Sequence, residues 1–314
     1  MNSVHTVLGE VPAAELGVTY CHEHLLTLPG EHLTKGSDDT VLDDLERSAA
    51  ELELFAQAGG EAMVELSCPE YGRDAAGLVE LARRTGVRIV AATGHIMEGY
   101  WEGVLDVGAI DDEGLRAEML RDLTEGFPEA PEARAGVIKV GTSLDRVTAD
   151  EERMLRAAAD VQRQTGAPIS THTSAGTIPL EQVRIFAEAG ADLGNVLIGH
   201  QDRRLDWEDH LAVVEAGCFI GYDCLSKERY GPDSQKVEFI KRLIAAGYGD
   251  RICLSGDIAR RSYLTNYGGG PGFTYILWRF LPWLRQEGIG EEDVRRLVVD
   301  NPARFLAWTD GEDS

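Results

Sequence analysis

The chain has 314 residues, a 43% apolar share and a formal net charge of −24. That length and apolar share suffice for one large core, and the acidic excess argues against nucleic-acid and anionic-membrane partners. No apolar run of about 18 residues is available to span a bilayer. Residues 1–6 lack a basic-then-apolar leader, so no secretory signal is expected. The five cysteines, Cys21, Cys68, Cys218, Cys224 and Cys253, are scattered and form no Cys-x-x-Cys pair, which predicts a reduced, cytoplasmic protein.

Short β-branched or apolar runs recur at 18–24, 62–66, 87–92, 136–140, 168–171, 195–199, 218–222 and 251–255. Between them apolar residues fall at helical spacing, as in Leu45, Ala49 and Leu52 or in Met154, Leu155, Ala158 and Val161. A glycine such as Gly86 or Gly166 closes each of several helical stretches just before the next strand, where a C-cap belongs. Eight strands alternating with helices predict an α/β chain folded as one (β/α)8 TIM barrel domain across residues 1–314. The rival, a doubly wound open sheet, usually carries a Gly-rich phosphate loop after its first strand, and none is present. Residues 276–308 read as two helices broken near Gly288 and Gly290, followed by a frayed end at 310–314.

In such a barrel the C-terminal strand ends build the site. The first strand ends in Cys21-His22-Glu23-His24-Leu25. Alternation turns His22 and His24 to one side and Glu23 to the other. The fourth strand offers Lys139, the fifth His172, the sixth His200 and the eighth Asp257. Each has a bland reading: a hydrogen-bonded histidine, or for Asp257 a helix N-cap. Lys139 is harder to dismiss, because a bare ammonium inside an apolar strand is costly to bury. Taken together these residues describe a two-metal centre. His22, His24 and Asp257 can hold one ion, and His172 and His200 a second. Two cations need a bridging anion, and the fourth strand places no Asp or Glu there. A lysine whose pKa burial lowers can take up carbon dioxide as a carbamate, which makes Lys139 the bridge, with a shared hydroxide completing the cluster.

The segments around His22 and His24, Ile138-Lys139-Val140, Thr171-His172-Thr173 and Ile198-Gly199-His200 resemble the ligand motifs of the phosphotriesterase family in the amidohydrolase superfamily, over nearly the whole chain. The resemblance implies His22, His24, carboxylated Lys139 (N6-carboxylysine), His172, His200 and Asp257 as ligands of two divalent ions. Zinc is the first choice, and manganese or cobalt also suit the donors. It further implies Asp257 as the proton shuttle. The family hydrolyses lactones, organophosphate triesters and some amides, so the fold leaves the substrate open.

The late loops narrow the choice. Arg203 and Arg204, Lys227 and Arg229, and Arg260 and Arg261 are three basic pairs on three adjacent loops of an acidic chain. They either pair with local carboxylates or build an anion pocket. Residues 255–263, with 268–273 behind them, resemble the branch that opens phosphorylated sugar lactones. That resemblance implies Arg260, Tyr263 and either Lys227 or Arg229 as the phosphate grip. The third loop, with His95 and Tyr100, departs from relatives specialised on acyl-homoserine lactones, and both side chains are expected to be buried in the loop. The expected function is hydrolysis of a phosphorylated furanose lactone, with a small anionic substrate and no nucleic-acid or membrane partner. Aromatic residues in the last helices suit a homodimer interface and core packing equally. An unphosphorylated lactonase, an N-acyl amidohydrolase or a phosphotriesterase on the same metals is the alternative, and a metal-binding sensor without turnover is the non-enzyme alternative.

Overall fold

The computed structural model describes residues 2–101 and 103–309. It opens with an antiparallel hairpin, β1 (Ser3–Thr6) and β2 (Gly9–Pro12), which the sequence reading does not anticipate because each strand is only four residues long. Eight parallel strands follow: β3 (Thr19–Glu23), β4 (Ala62–Glu65), β5 (Arg88–Gly94), β6 (Ala135–Thr142), β7 (Ile169–Thr173), β8 (Val196–Ile198), β9 (Phe219–Tyr222) and β10 (Ile252–Leu254). They pair in sequence order from β3 to β10. The predicted strand positions hold to within two residues at either end. Together with the surrounding helices they make a (β/α)8 barrel.

Strand alternation separates two cores. Cys21, Val64, Val90, Val137, Leu197 and Phe219 pack together inside the barrel. The N-terminal mouth is plugged by Val4 of the hairpin, by Leu16, and by Phe305 and Leu306 of the last helix. Tyr20, Met63, Ile89, Ile138, Ile169 and Ile220 point outward and pack with the helix layer. The helices between strands start and stop where their ends are chemically satisfied. In Ala149–Thr165, Thr148 and Glu151 form a reciprocal capping box, and Gly166 ends the helix at φ 77°. A side chain at Gly166 would also collide with the Thr309 carbonyl, so this position needs glycine twice over.

The seam between β3 and β10 is closed by a side chain as well as by backbone. The Ser255 hydroxyl accepts from the His22 N–H at 3.0 Å and lies 2.7 Å from both the His22 carbonyl and a Glu23 carboxylate oxygen. The Asp257 N–H then donates to the His22 carbonyl. Residues 276–286 and 291–306 form the two expected terminal helical stretches, each containing one π turn, with the break at 287–290. The expectation for 310–314 falls outside the described residues. Among the described residues no helix is long and apolar enough to cross a membrane. All five cysteines are buried free thiols.

Candidate metal centre

The first strand would not aim His22 correctly if it alternated strictly, since Cys21 faces the barrel interior. Between Tyr20 and Glu23 the register with β4 slips: Tyr20 pairs with Met63, but Glu23 pairs with Glu65. The extra residue is a bulge, and bulges re-aim side chains. His22 and His24 consequently meet, with ring centroids 5.7 Å apart, while Glu23 turns away as alternation predicts. Buried Glu23 accepts from the backbone N–H groups of Gly256 and Ile258 at 2.6 and 2.8 Å. It thereby clamps the loop on either side of Asp257. Burial lifts the Glu23 pKa to about 7, against the pull of those N–H donors.

The sequence-predicted donors converge at one mouth. His22, His24, Lys139, His172, His200 and Asp257 all line one pocket. Its hydrogen bonds fix which ring nitrogen faces inward. Asp223 accepts from His22 Nδ1 at 2.9 Å and from His200 Nδ1 at 2.8 Å. Ser67 spends its hydroxyl proton on Glu65 at 2.5 Å, so its oxygen accepts from His24 Nδ1 at 2.8 Å. In the neutral rings Nε2 of all three histidines is then a bare lone pair directed into the pocket. His22 Nε2 and His24 Nε2 face Asp257 Oδ1 at 3.7 and 3.3 Å. Lone pairs aimed at one another with no proton to share repel unless a cation lies between them, so this donor set fits a metal ion. The donor atoms of His22, His24 and Asp257 lie within 4.8 Å of one another. His172 Nδ1 and His200 Nε2 converge at 2.8 Å as a second pair.

Two of these residues sit on unusual backbone. His200 at φ 60° and Asp257 at φ 45° both occupy the left-handed region. For a non-glycine residue that costs roughly 1–3 kcal/mol, and such conformations cluster at functional sites. For His200 the twist also turns its own N–H onto Asp223 at 3.0 Å.

The electrostatics suit metal capture. Burial, with help from the Lys139 charge, takes the His22 pKa down to about 3. Burial also takes His172 well below its usual range. Asp257 stays well below the usual carboxylate range: burial alone would raise it, but the Lys227 ammonium outweighs that. Lys139 is about 1% exposed, and among the described residues its Nζ has only the Thr171 carbonyl at 3.4 Å. Burial lowers its pKa, against the raising influence of Asp223.

The three basic pairs are sorted by the loops. Arg203, Lys227, Arg229 and Arg260 line the pocket, as does Tyr263. Arg204 turns out to Asp206 at 3.5 Å, and Arg261 to Asp38 and Asp43 at 2.6 and 2.7 Å. Lys227 and Arg229 differ in kind. Lys227 is buried against Asp257 Oδ2 at 2.8 Å, whereas exposed Arg229 stacks on Tyr230 and Tyr263. In the third loop His95 is buried away from the pocket between Glu70 and Glu118, at 2.9 and 3.1 Å. Burial would lower its pKa, but the two carboxylates raise it to about 10. Tyr100, expected to be buried in the loop, instead reaches the pocket wall, 6.1 Å from the His172 ring.

Sequence reasoning missed Asp223, the Ser67–Glu65 pair, and the pocket residues Tyr71 and Tyr230. Asp223 was within reach of the rule that found the histidines, since it directly follows β9 at its C-terminal end. Asp223→Asn keeps the shape but lets the amide NH₂ displace one imidazole proton, turning a ring to the wrong tautomer. Metal affinity is expected to fall about 10–100-fold, measured by competition with a chromogenic chelator. Unchanged affinity would deny Asp223 this orienting role.

A model of the Phosphotriesterase family matches residues 2–306. The chain is 33% identical over 292 residues to the "Phosphotriesterase homology protein" of Escherichia coli (strain K12), covering 92% of this chain and 98% of the relative. It is 31% identical over 322 residues to the "Phospho-furanose lactonase" of Mycoplasmopsis synoviae (strain 53), covering 96% and 91%. Among solved structures, a lactonase from Listeria monocytogenes superposes with a TM-score of 0.94 at 32% identity, covering 98% of this chain and all of that one (100%).

Proposed function

The chain belongs to the phosphotriesterase family of metal-dependent hydrolases, and from that premise we propose that it opens a phosphorylated furanose lactone to the phosphorylated hydroxy acid. One observation carries the substrate reading. Four basic side chains from the last three loops line the pocket beside the metal donors, and their sequence neighbours Arg204 and Arg261 are spent on surface carboxylates. In a chain this acidic, positive charge gathered at one mouth favours an anion held there. The named phospho-furanose lactonase relative supports the same substrate class, and the lactonase neighbour supports lactone opening.

In this reading His22, His24 and Asp257 would hold one divalent ion and His172 and His200 the other, and N6-carboxylated Lys139 would supply an anionic ligand to the pair. Imidazole with carboxylate favours zinc. When bound, the ions supply an activated water and a Lewis acid for the lactone carbonyl. Asp223 and Ser67 keep three rings oriented throughout. Asp257, ionised and aimed by the Glu23 clamp, takes the proton of the attacking water and returns it to the departing ring oxygen. Lys227 holds Asp257 ionised. Arg229, Arg260 and Tyr263 grip the phosphate, so that binding energy remote from the carbonyl orients the ring.

The test is a panel of lactones with and without the phosphate, using metal-loaded protein. The phosphorylated forms are expected to react faster, and Arg260→Ala is expected to lower their kcat/KM about 100-fold through loss of a charge-assisted contact. Equal wild-type rates on both forms would remove the phosphate from the assignment.

A further inference from the structure

Arg203 is one of the four basic side chains counted above, but no role is assigned to it there. It ends the short turn Gln201–Arg203 that follows His200, and it lines the pocket on the His200 side. Its guanidinium carbon lies 4.3 Å from the centroid of the Tyr230 ring, and that of Arg229 lies 4.4 Å from the same ring. One phenol therefore carries two guanidinium groups. The Arg203 Nε is buried with no hydrogen-bond partner among the described residues. Among the described residues no carboxylate pairs with Arg203, whereas Arg260 has Asp39 at 3.1 Å and Lys227 has Asp257 at 2.8 Å. Among the described residues Asp257 is the only Asp or Glu lining this pocket, against the four basic side chains of the last three loops. Like charges gathered on one ring, one of them with an unused N–H, favour a counter-charge that enters between them.

A monoanion is neutralised by one guanidinium. A second, separately oriented fork adds selectivity for a group with two negative charges and three acceptor oxygens. We propose that Arg203 and Arg229, set by Tyr230, form a two-arginine jaw that selects a doubly ionised phosphate monoester over monoanions of the same shape. The inference rests on the phosphate site proposed above and adds to it a residue and an ionisation state.

Methyl phosphate and methyl sulfate are matched probes, because they share a shape and differ in the second charge. Their affinities for metal-loaded protein are measured by calorimetry from pH 5.5 to 7.5. The wild type is expected to prefer methyl phosphate by about 30-fold at pH 7.5, and the preference is expected to grow with pH as the second phosphate proton leaves near pH 6. Methyl sulfate has no such proton, so it reports any titration of the groups around Arg203, namely His172, Tyr100, Tyr230 and Arg229, and the ratio cancels it. Arg203→Gln is expected to reduce the preference to about threefold and flatten its pH dependence with metal content unchanged, since phosphate held by metal alone would not sense Arg203. A variant that keeps the full preference, or loses both ligands equally, overturns the jaw. So does a wild-type preference that is flat across the pH range, a result that needs no variant. The lactone panel is independent of this outcome. Inert phosphorylated lactones with an intact Arg203-dependent preference would sink the substrate and leave the jaw, and the reverse pattern would do the opposite.

Discussion

Lys139→Ala is expected to lose most of its bound metal and at least about 10³ of its turnover. The side chain is buried, faces the barrel interior two residues beyond Val137, and among the described residues has only a carbonyl at 3.4 Å as a partner. As an ammonium it would repel the very cations that the neighbouring histidines are arranged to bind. As a carbamate it supplies the one anion that the donor set lacks. If Lys139 carries the proposed carbamate, removing it takes away a ligand shared by both ions, and about 4 kcal/mol of lost transition-state stabilisation corresponds to the stated factor. The substitution also leaves a gap of several methylenes at the mouth, so acetate or propionate is expected to restore part of the activity by filling the gap with a carboxylate. Lys139→Met is the paired control: it fills the volume, supplies no anion, and is expected to be inactive and not rescued. Metal per chain is read by elemental analysis alongside the rates. Full metal content and turnover in Lys139→Met would end the carbamate proposal.

Asp257→Asn is expected to lower kcat by about 10³–10⁴-fold while most of the metal stays bound. An amide oxygen can still coordinate beside His22 and His24, but an amide cannot accept the proton of the attacking water, and general acid–base groups contribute on that order. The variant has a second consequence. Lys227 is 4% exposed, and its ion pair at 2.8 Å is with this carboxylate. Its charge is then left buried against a neutral amide, so the variant is also expected to lose about 1–3 kcal/mol of stability. Denaturant unfolding of the two proteins measures that loss. If metal content falls in step with activity, Asp257 acts only as a ligand and its proton-transfer role is withdrawn.

The structure also shows why some of the site was legible in sequence and some was not. His22, His24, His172 and His200 were legible because each stands at or just beyond the end of an apolar strand, and strand ends in a closed barrel share one mouth. Asp223 obeys the same rule, since it directly follows Phe219–Tyr222, but a lone carboxylate after a strand gives no sign of the two imidazoles it joins. The role of Glu23 was half legible. Alternation turned it away from the histidines, but its clamp on Gly256 and Ile258 joins residues more than two hundred positions apart.

What the sequence determined by itself is the alternation of eight strands and helices, the inward set of donors, and the excess of basic residues on the last three loops. These follow from local period and residue chemistry, which chain order preserves. Only the tertiary structure decided which of the six basic residues face the pocket, because neighbouring residues on an irregular loop have no fixed period. It also decided that Ser255 closes the seam, that a bulge aims His22, and that Lys227 is engaged by Asp257 while Arg203 and Arg229 share Tyr230. Each of these depends on the distance between segments far apart in the chain, which is set when the barrel closes.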